Sequence, residues 1–189
     1  MSRRMICGVA FVGILLLTLS AVGQNRANPL VTLETSMGTI KVELYPGKAP
    51  ITTKNFIDYV NSGFYDGTIV HRVDIAVCLG GYTEGLMGKP TRPPIKNESR
   101  NGLKNLRGTL AMARYDNPDS ATSQFFINLN NNPHLDPTKS EFGYAVFGKV
   151  VEGMEVVDKI AKVKTGTKAS FSNMPLQTIV VKSAKVVSK

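Results

Sequence analysis

Few side chains in this chain are placed to do chemistry, and most of them fall in two stretches. Residues 107–129, RGTLAMARYDNPDSATSQFFINL, set two apolar, strand-like runs around a polar loop. Ala113, Gln124 and Phe126 then fall where the open face of a barrel could hold a peptide. A concave apolar face with an aromatic floor and one orienting amide is how small binding pockets are usually built. The same pattern also suits a plain β-hairpin buried in a core, and periodicity alone does not separate the two. The second stretch is the short strand-like run around His71 and Arg72, whose guanidinium is a permanent cation with several fixed donors.

Other chemistries lack their residues. The chain has two histidines, His71 and His134, and two cysteines, Cys7 and Cys78, which form no zinc-ligand spacing. Asp116 and Asp119 sit in a polar loop and read as solvated turn residues. No glycine-rich phosphate loop opens a helix, and no serine stands in a nucleophile elbow. The expectation is therefore a site without metal or cofactor, and hydrolase and nucleotide chemistry find no motif.

The elements that must position these residues alternate mostly with period two. Residues 30–34 and 40–44 flank Ser36-Met37-Gly38, a hairpin with a glycine turn. Further strands are predicted over 68–73, 108–114, 123–129, 144–151 and 178–187. Two segments have helical spacing instead. The first runs from Thr52 or Thr53 to Asn61, with a threonine as N-cap and Gly63 just past its end. The second covers 152–162, where Val156, Val157 and Ile160 form an apolar stripe suited to the core. Many short strands with two amphipathic helices predict a closed barrel capped at its ends. The longest irregular connection is predicted over 80–105, and loops of that length are often functional.

Length suits one domain with a sizeable core, preceded by a short extra segment. Arg3 and Arg4 precede an uncharged run over 5–23 that ends in Ala21-Val22-Gly23. Residues 1–23 thus read as a secretory signal peptide cleaved before Gln24, leaving a domain over 24–189. The run is also long enough to cross a bilayer, so an uncleaved anchor is the alternative. Cys7 precedes most of the apolar run, the wrong side for a lipidated cysteine. After cleavage Cys78 is the single cysteine, no intramolecular disulfide forms, and stability must come from packing. The formal charge of +9 loses Arg3 and Arg4, leaving 21 basic against 14 acidic side chains, or +7. The lysines are scattered between Lys41 and Lys189 rather than gathered on one element with exposed aromatics. The charge reads as a solvated, weakly anion-seeking surface, with no nucleic-acid partner expected.

The segments VHRV, PIKNES, NGLKNLRGTLAMAR, SATSQFFINL, FGYAVFGKVVEGMEVVDKI and SAKV resemble the cyclophilins, and among them the secreted, periplasmic bacterial type. The resemblance runs from about Leu30 to Val187. It implies an all-β, closed eight-stranded antiparallel barrel with two capping helices. It further implies a monomeric peptidyl-prolyl cis-trans isomerase, without cofactor, acting on proline-containing polypeptides such as unfolded exported proteins in the periplasm. Arg72 matches the family's catalytic arginine, and Phe126 the residue on which the proline ring packs. Leu135 matches another apolar wall, while Gln124 and the backbone of Ala113 and Arg114 match groups that hold the flanking peptide. Tyr144 lies where the family has a histidine or, in bacterial members, a tyrosine. His134 stands where the family places a large aromatic, so its wall would be smaller and wetter.

One block departs from the family pattern. After its His-Arg pair the family continues through an apolar run with Pro, then Phe, Met, a variable residue, Gln and Gly-Gly. This chain reads Val73-Asp74-Ile75-Ala76-Val77-Cys78-Leu79-Gly80-Gly81, one residue shorter and without the Phe, Met or Gln. In the family the first two line the proline pocket and the Gln orients the arginine. Their loss predicts a larger pocket and a less restrained Arg72. Asp74 is expected to face solvent; reaching Arg72, it would compete with substrate for the guanidinium. A contiguous block of mismatches between intact flanks is what a pair of compensating frame shifts would leave. A non-catalytic peptide-binding module or holdase on the same fold is thus the alternative function. A ligand-carrying barrel is disfavoured, because side chains normally fill small barrels.

Overall fold

The computed structural model describes residues 27–187. The predicted signal segment lies outside the described residues. Among those described, no helix is long and apolar enough to cross a membrane.

Eight antiparallel strands build a barrel. Strands β1 (Leu30–Thr35) and β2 (Gly38–Leu44) pair with Thr35 opposite Gly38, as the hairpin reading predicts. Strands β3 (Thr68–Val73) and β4 (Ala76–Thr83) form the next hairpin, and β5 (Thr109–Met112) pairs with β6 (Phe125–Asn128). Strands β7 (Val146–Glu152) and, after the small hairpin of β8 (Thr165–Lys168) and β9 (Phe171–Pro175), β10 (Val181–Val187) complete the set. The sheet order is β10-β1-β2-β7-β5-β6-β4-β3. The two ends meet at an isolated bridge between Ile69 and Val180, reinforced by the Val70 N–H donating to the Ile179 carbonyl at 2.9 Å. The barrel is thus nearly closed, which leaves few free strand edges.

Strand β4 and the β8–β9 hairpin are additions to the sequence reading. Ala76, Val77 and Leu79 are all buried, so β4 shows no polar alternation, and its Gly80-Gly81 pair reads as loop. Both glycines have structural reasons. Gly80 sits at φ +87°, which lets the strand change register beside β3. At Gly81 a Cβ would meet the Gln124 side chain at 2.6 Å.

Helix α1 (Pro50–Asn61) starts two residues before the predicted threonine cap. Proline suits the first helical turn because its missing N–H would have no partner there anyway. Ala49 occupies the cap position and offers no side-chain acceptor. The orphan amides are satisfied from far along the chain: the Glu98 carboxylate accepts from Ile51 N–H at 3.1 Å and Thr52 N–H at 2.8 Å. It also accepts from the Thr52 hydroxyl at 2.7 Å. Gly63, at φ +64°, follows the helix end as predicted. Helix α2 (Met154–Ala161) buries Val156, Val157 and Ile160, and Arg107 ties it to the barrel by pairing with both Asp158 oxygens at 2.8 Å.

Inside the barrel Phe56 of α1 meets Phe125 edge-on at 5.1 Å and Phe147 at 5.2 Å. Successive strand residues point to opposite faces. While Val77, Leu110 and Phe125 fill the interior, Ala76, Ala111 and Phe126 build a second, smaller apolar cluster with Val146. The groove lies on that second face.

Candidate active site

Three neighbouring strands and one loop wall converge on a groove of about 170 Å³, lined by Arg72, Asp74, Ile75, Ala76, Cys78, Ala113, Arg114, Phe126, Leu135 and Tyr144. Arg72 comes from β3, opposite Cys78 of β4; Cys78 in turn is opposite Phe126 of β6. The register therefore sets cation, small floor residue and aromatic ring side by side across three strands. Phe126 meets Tyr144 edge-on at 5.5 Å, and the Arg114 guanidinium lies 4.9 Å from the centre of the Tyr144 ring.

The far wall is held by the long connection after β4. Asn105 donates to the carbonyls of Leu135 at 3.2 Å and Tyr144 at 3.3 Å, and Asn101 to that of Val146 at 2.9 Å. Asn97 donates to Gly143 O at 3.1 Å, while Gly143 N–H donates to the Ser99 hydroxyl at 3.1 Å. The asparagines thus satisfy a wall that has no strand partner of its own. Arg114 is spent in the same way: its guanidinium donates to the Tyr115 carbonyl at 2.8 Å and that of Phe142 at 2.7 Å. It braces the rim rather than offering free donors.

Of the residues singled out from sequence, the structure gathers Arg72, Ala113, Arg114, Phe126, Leu135 and Tyr144 around this groove. Gln124 lines a neighbouring groove of about 130 Å³, together with Tyr82, Ala113, Arg114, Tyr115, Ser120 and Thr122. His134 sits in the short turn Pro133–Leu135, exposed, and lines neither groove. Ile75, Ala76 and Cys78 were not singled out as lining residues. Their signal is the alternation Ala76/Cys78 on one face of β4, which becomes visible only once β4 is recognised as a strand.

Asp74 corrects the sequence reading. Instead of facing solvent, its carboxylate accepts from Arg72 Nε at 2.6 Å and also pairs with Nη2. The two-residue turn between β3 and β4 holds the carboxylate on this side: the Asp74 N–H donates to the Ala76 carbonyl, and the Ala76 N–H donates back to Oδ1. The shortened segment therefore folds the carboxylate back over the strand it leaves. The hydrogen bond that Arg72 donates to Asp74 raises the Arg72 pKa above its ordinary value, so the guanidinium remains charged. Burial pushes the Cys78 thiol up to about 12, with the Asp74 charge acting the same way. It stays protonated at neutral pH and is no nucleophile.

His71 belongs to another environment. Its ring packs edge-on against Tyr82 at 5.0 Å and lies 6.1 Å from Phe171 of the small hairpin. Burial lowers its pKa to about 4, so at neutral pH it is an uncharged packing residue. Among the described residues, no three His, Cys, Asp or Glu side chains gather as a metal site. What the groove can do is seat an apolar ring against Phe126 and direct a permanent hydrogen-bond donor at it.

A family model for the cyclophilin type peptidyl-prolyl cis-trans isomerases matches residues 30–186. The chain is 50% identical to peptidyl-prolyl cis-trans isomerase A of Dickeya dadantii (strain 3937), over 100% of both chains. It is 46% identical to peptidyl-prolyl cis-trans isomerase B of Escherichia coli (strain K12), over 83% of this chain and 99% of that one. The crystal structure of a cyclophilin type isomerase of Cryptosporidium parvum, determined in the presence of the dipeptide Ala-Pro, matches with a TM-score of 0.73 at 28% identity. That match covers 85% of this chain and 99% of the other.

Proposed function

This chain belongs to the cyclophilin-type peptidyl-prolyl cis-trans isomerase family, and from that premise we propose that it isomerises X-Pro peptide bonds with Arg72 as its catalytic group. The observation that carries the reading is the meeting of the Arg72 guanidinium and the Phe126 ring in one groove.

The peptide C–N bond resists rotation by about 18 to 20 kcal/mol because of resonance, so an unaided X-Pro bond takes tens to hundreds of seconds to isomerise. No covalent step is required. As the bond twists, the prolyl nitrogen pyramidalises and recovers a lone pair. Arg72 donates a hydrogen bond to that lone pair, which is present in the twisted amide and absent from either planar isomer. Such a donor stabilises the transition state selectively. Lowering the barrier to about 13 kcal/mol would give a turnover on the order of 10³ per second, so about 6 kcal/mol must come from this differential binding. Phe126, Leu135 and Tyr144 seat the proline ring, while Gln124 and the backbone at Ala113 hold the flanking peptide. Proline-containing polypeptides, unfolded exported proteins among them, are the substrates of this reading. Slow X-Pro isomerisation can limit their folding.

A second reading is a peptide-binding module without turnover. It is favoured by the small Ala76 and Cys78 side chains on the groove floor, which leave less apolar wall for a proline ring. Isomerisation of a short X-Pro peptide by the purified chain and by Arg72→Ala separates the two. The enzyme reading expects a loss of about a hundredfold or more in kcat/KM on substitution. Equal rates for both proteins, with peptide binding retained, would establish the module instead.

A further inference from the structure

We propose that Asp74 is the positioning residue that orients Arg72 for isomerisation, a carboxylate anchor built into the β3–β4 turn. The inference rests on the isomerase reading and assigns a role within that same groove.

Asp74 is held by the backbone before it meets the arginine. Its N–H donates to the Ala76 carbonyl at 3.1 Å, and its Oδ1 accepts from the Ala76 N–H at 3.3 Å. An aspartate bonding its own turn in this way has little rotamer freedom left. Its side chain is 21% exposed against 53% for Arg72, so the carboxylate is the fixed partner and the guanidinium the mobile one. Oδ2 then engages the guanidinium along its Nε–Nη2 edge. Of the five N–H donors, that edge uses two and leaves three. The Asp74 carboxylate therefore sets the plane of the guanidinium without exhausting it.

Competition with substrate is the opposing effect, and the donors left free decide between them. A half-exposed ion pair of this kind changes an equilibrium by at most about fivefold. That figure bounds what the pair can do either way, by competing or by orienting. Among the described residues, Asp74 is the side chain hydrogen-bonded to Arg72, and the groove floor beside it carries the small Ala76 and Cys78 and the exposed Ile75. Three donors stay free for substrate while the Nε–Nη2 edge is held, so Asp74 assists rather than blocks.

The test is steady-state isomerisation of an X-Pro peptide by the full chain carrying Asp74→Asn. Asparagine keeps an oxygen for the Ala76 N–H and so preserves the turn, but presents an amide donor to the guanidinium. A fall in kcat of about threefold to fivefold is expected, with KM unchanged. On an Arg72→Ala background the same substitution should change nothing, because the residue it orients is gone. Asp74→Ala, which also loses the turn bond, should match Asp74→Asn in kcat while lowering the urea midpoint. An unchanged or raised kcat in Asp74→Asn overturns the proposal, as does an equal fall on the Arg72→Ala background. A wild-type chain without turnover would remove the isomerase reading and this role with it. Turnover undiminished by Asp74→Asn removes this role alone.

Discussion

At the scale of residues, neighbours one position apart on β3 have opposite fates. Arg72 lines the groove and stays charged at every physiological pH, as the role proposed for it requires. His71 points away, under Tyr82 and Phe171, and burial costs it its proton. Its pKa of about 4 when folded lies below the 6.5 of an exposed imidazole. The unfolded chain therefore takes the proton first, and stability is full above about pH 6.5 and declines as pH falls toward 4. A shift of that size corresponds to about 3 kcal/mol. Urea midpoints at pH 7.5 and 4.5 should show this decline in the wild type. His71→Phe, which keeps an aromatic ring in the slot, should lose the histidine's share of it. Identical declines in the two proteins would mean that His71 does not carry the effect.

At the scale of elements, the groove depends on a few contacts between segments far apart in sequence. Helix α1 supplies Phe56 to the aromatic core beneath β6, yet its first turn has no local cap. Glu98, from the long connection after β4, replaces that cap with three hydrogen bonds. The negative carboxylate also complements the positive end of the helix dipole. Glu98→Ala should therefore destabilise the fold by about 1 to 2 kcal/mol, at the upper end of cap substitutions. Equilibrium urea denaturation measures it, and an unchanged midpoint would show that solvent caps the helix equally well. The same connection carries Asn97, Asn101 and Asn105, which hold the Leu135–Tyr144 wall. Its function is thus to join the helix end to the groove wall, in keeping with the expectation that so long a loop has a role.

At the scale of the whole molecule, a nearly closed barrel fills its interior with side chains and leaves binding to its outer face. Cys78 is the free cysteine among the described residues, so packing and hydrogen bonding hold this part of the chain together. A periplasmic setting rests on the first 23 residues. Amino-terminal sequencing of the protein recovered from a secreting bacterial host should begin at Gln24. A sequence that begins within residues 1–23 would point to the anchor instead.

Much of this was legible in one dimension. Strand-like runs marked β1, β2, β3, β5, β6, β7 and β10, because each of them has faces of different polarity or strongly β-forming residues. The apolar stripe of Val156, Val157 and Ile160 marked α2 for the same kind of reason. Strand β4 escaped because burial on both sides erases alternation and Gly80-Gly81 mimics a turn. The β8–β9 hairpin escaped because its strands are short and largely exposed.

The sequence by itself determined the fold family, the two helices and the presence of Arg72 and Phe126 in segments of recognisable pattern. Each of these follows from local periodicity or from runs of contiguous residues. Only the tertiary structure decided that Asp74 grips Arg72 instead of facing water, that Glu98 caps α1, and that His134 stands outside the groove while Ala76 and Cys78 form its floor. Those outcomes depend on strand register, on the tightness of one turn and on barrel closure. They are set by which side chains are brought within hydrogen-bonding distance, about 3 Å, and no spacing along the chain encodes that distance directly.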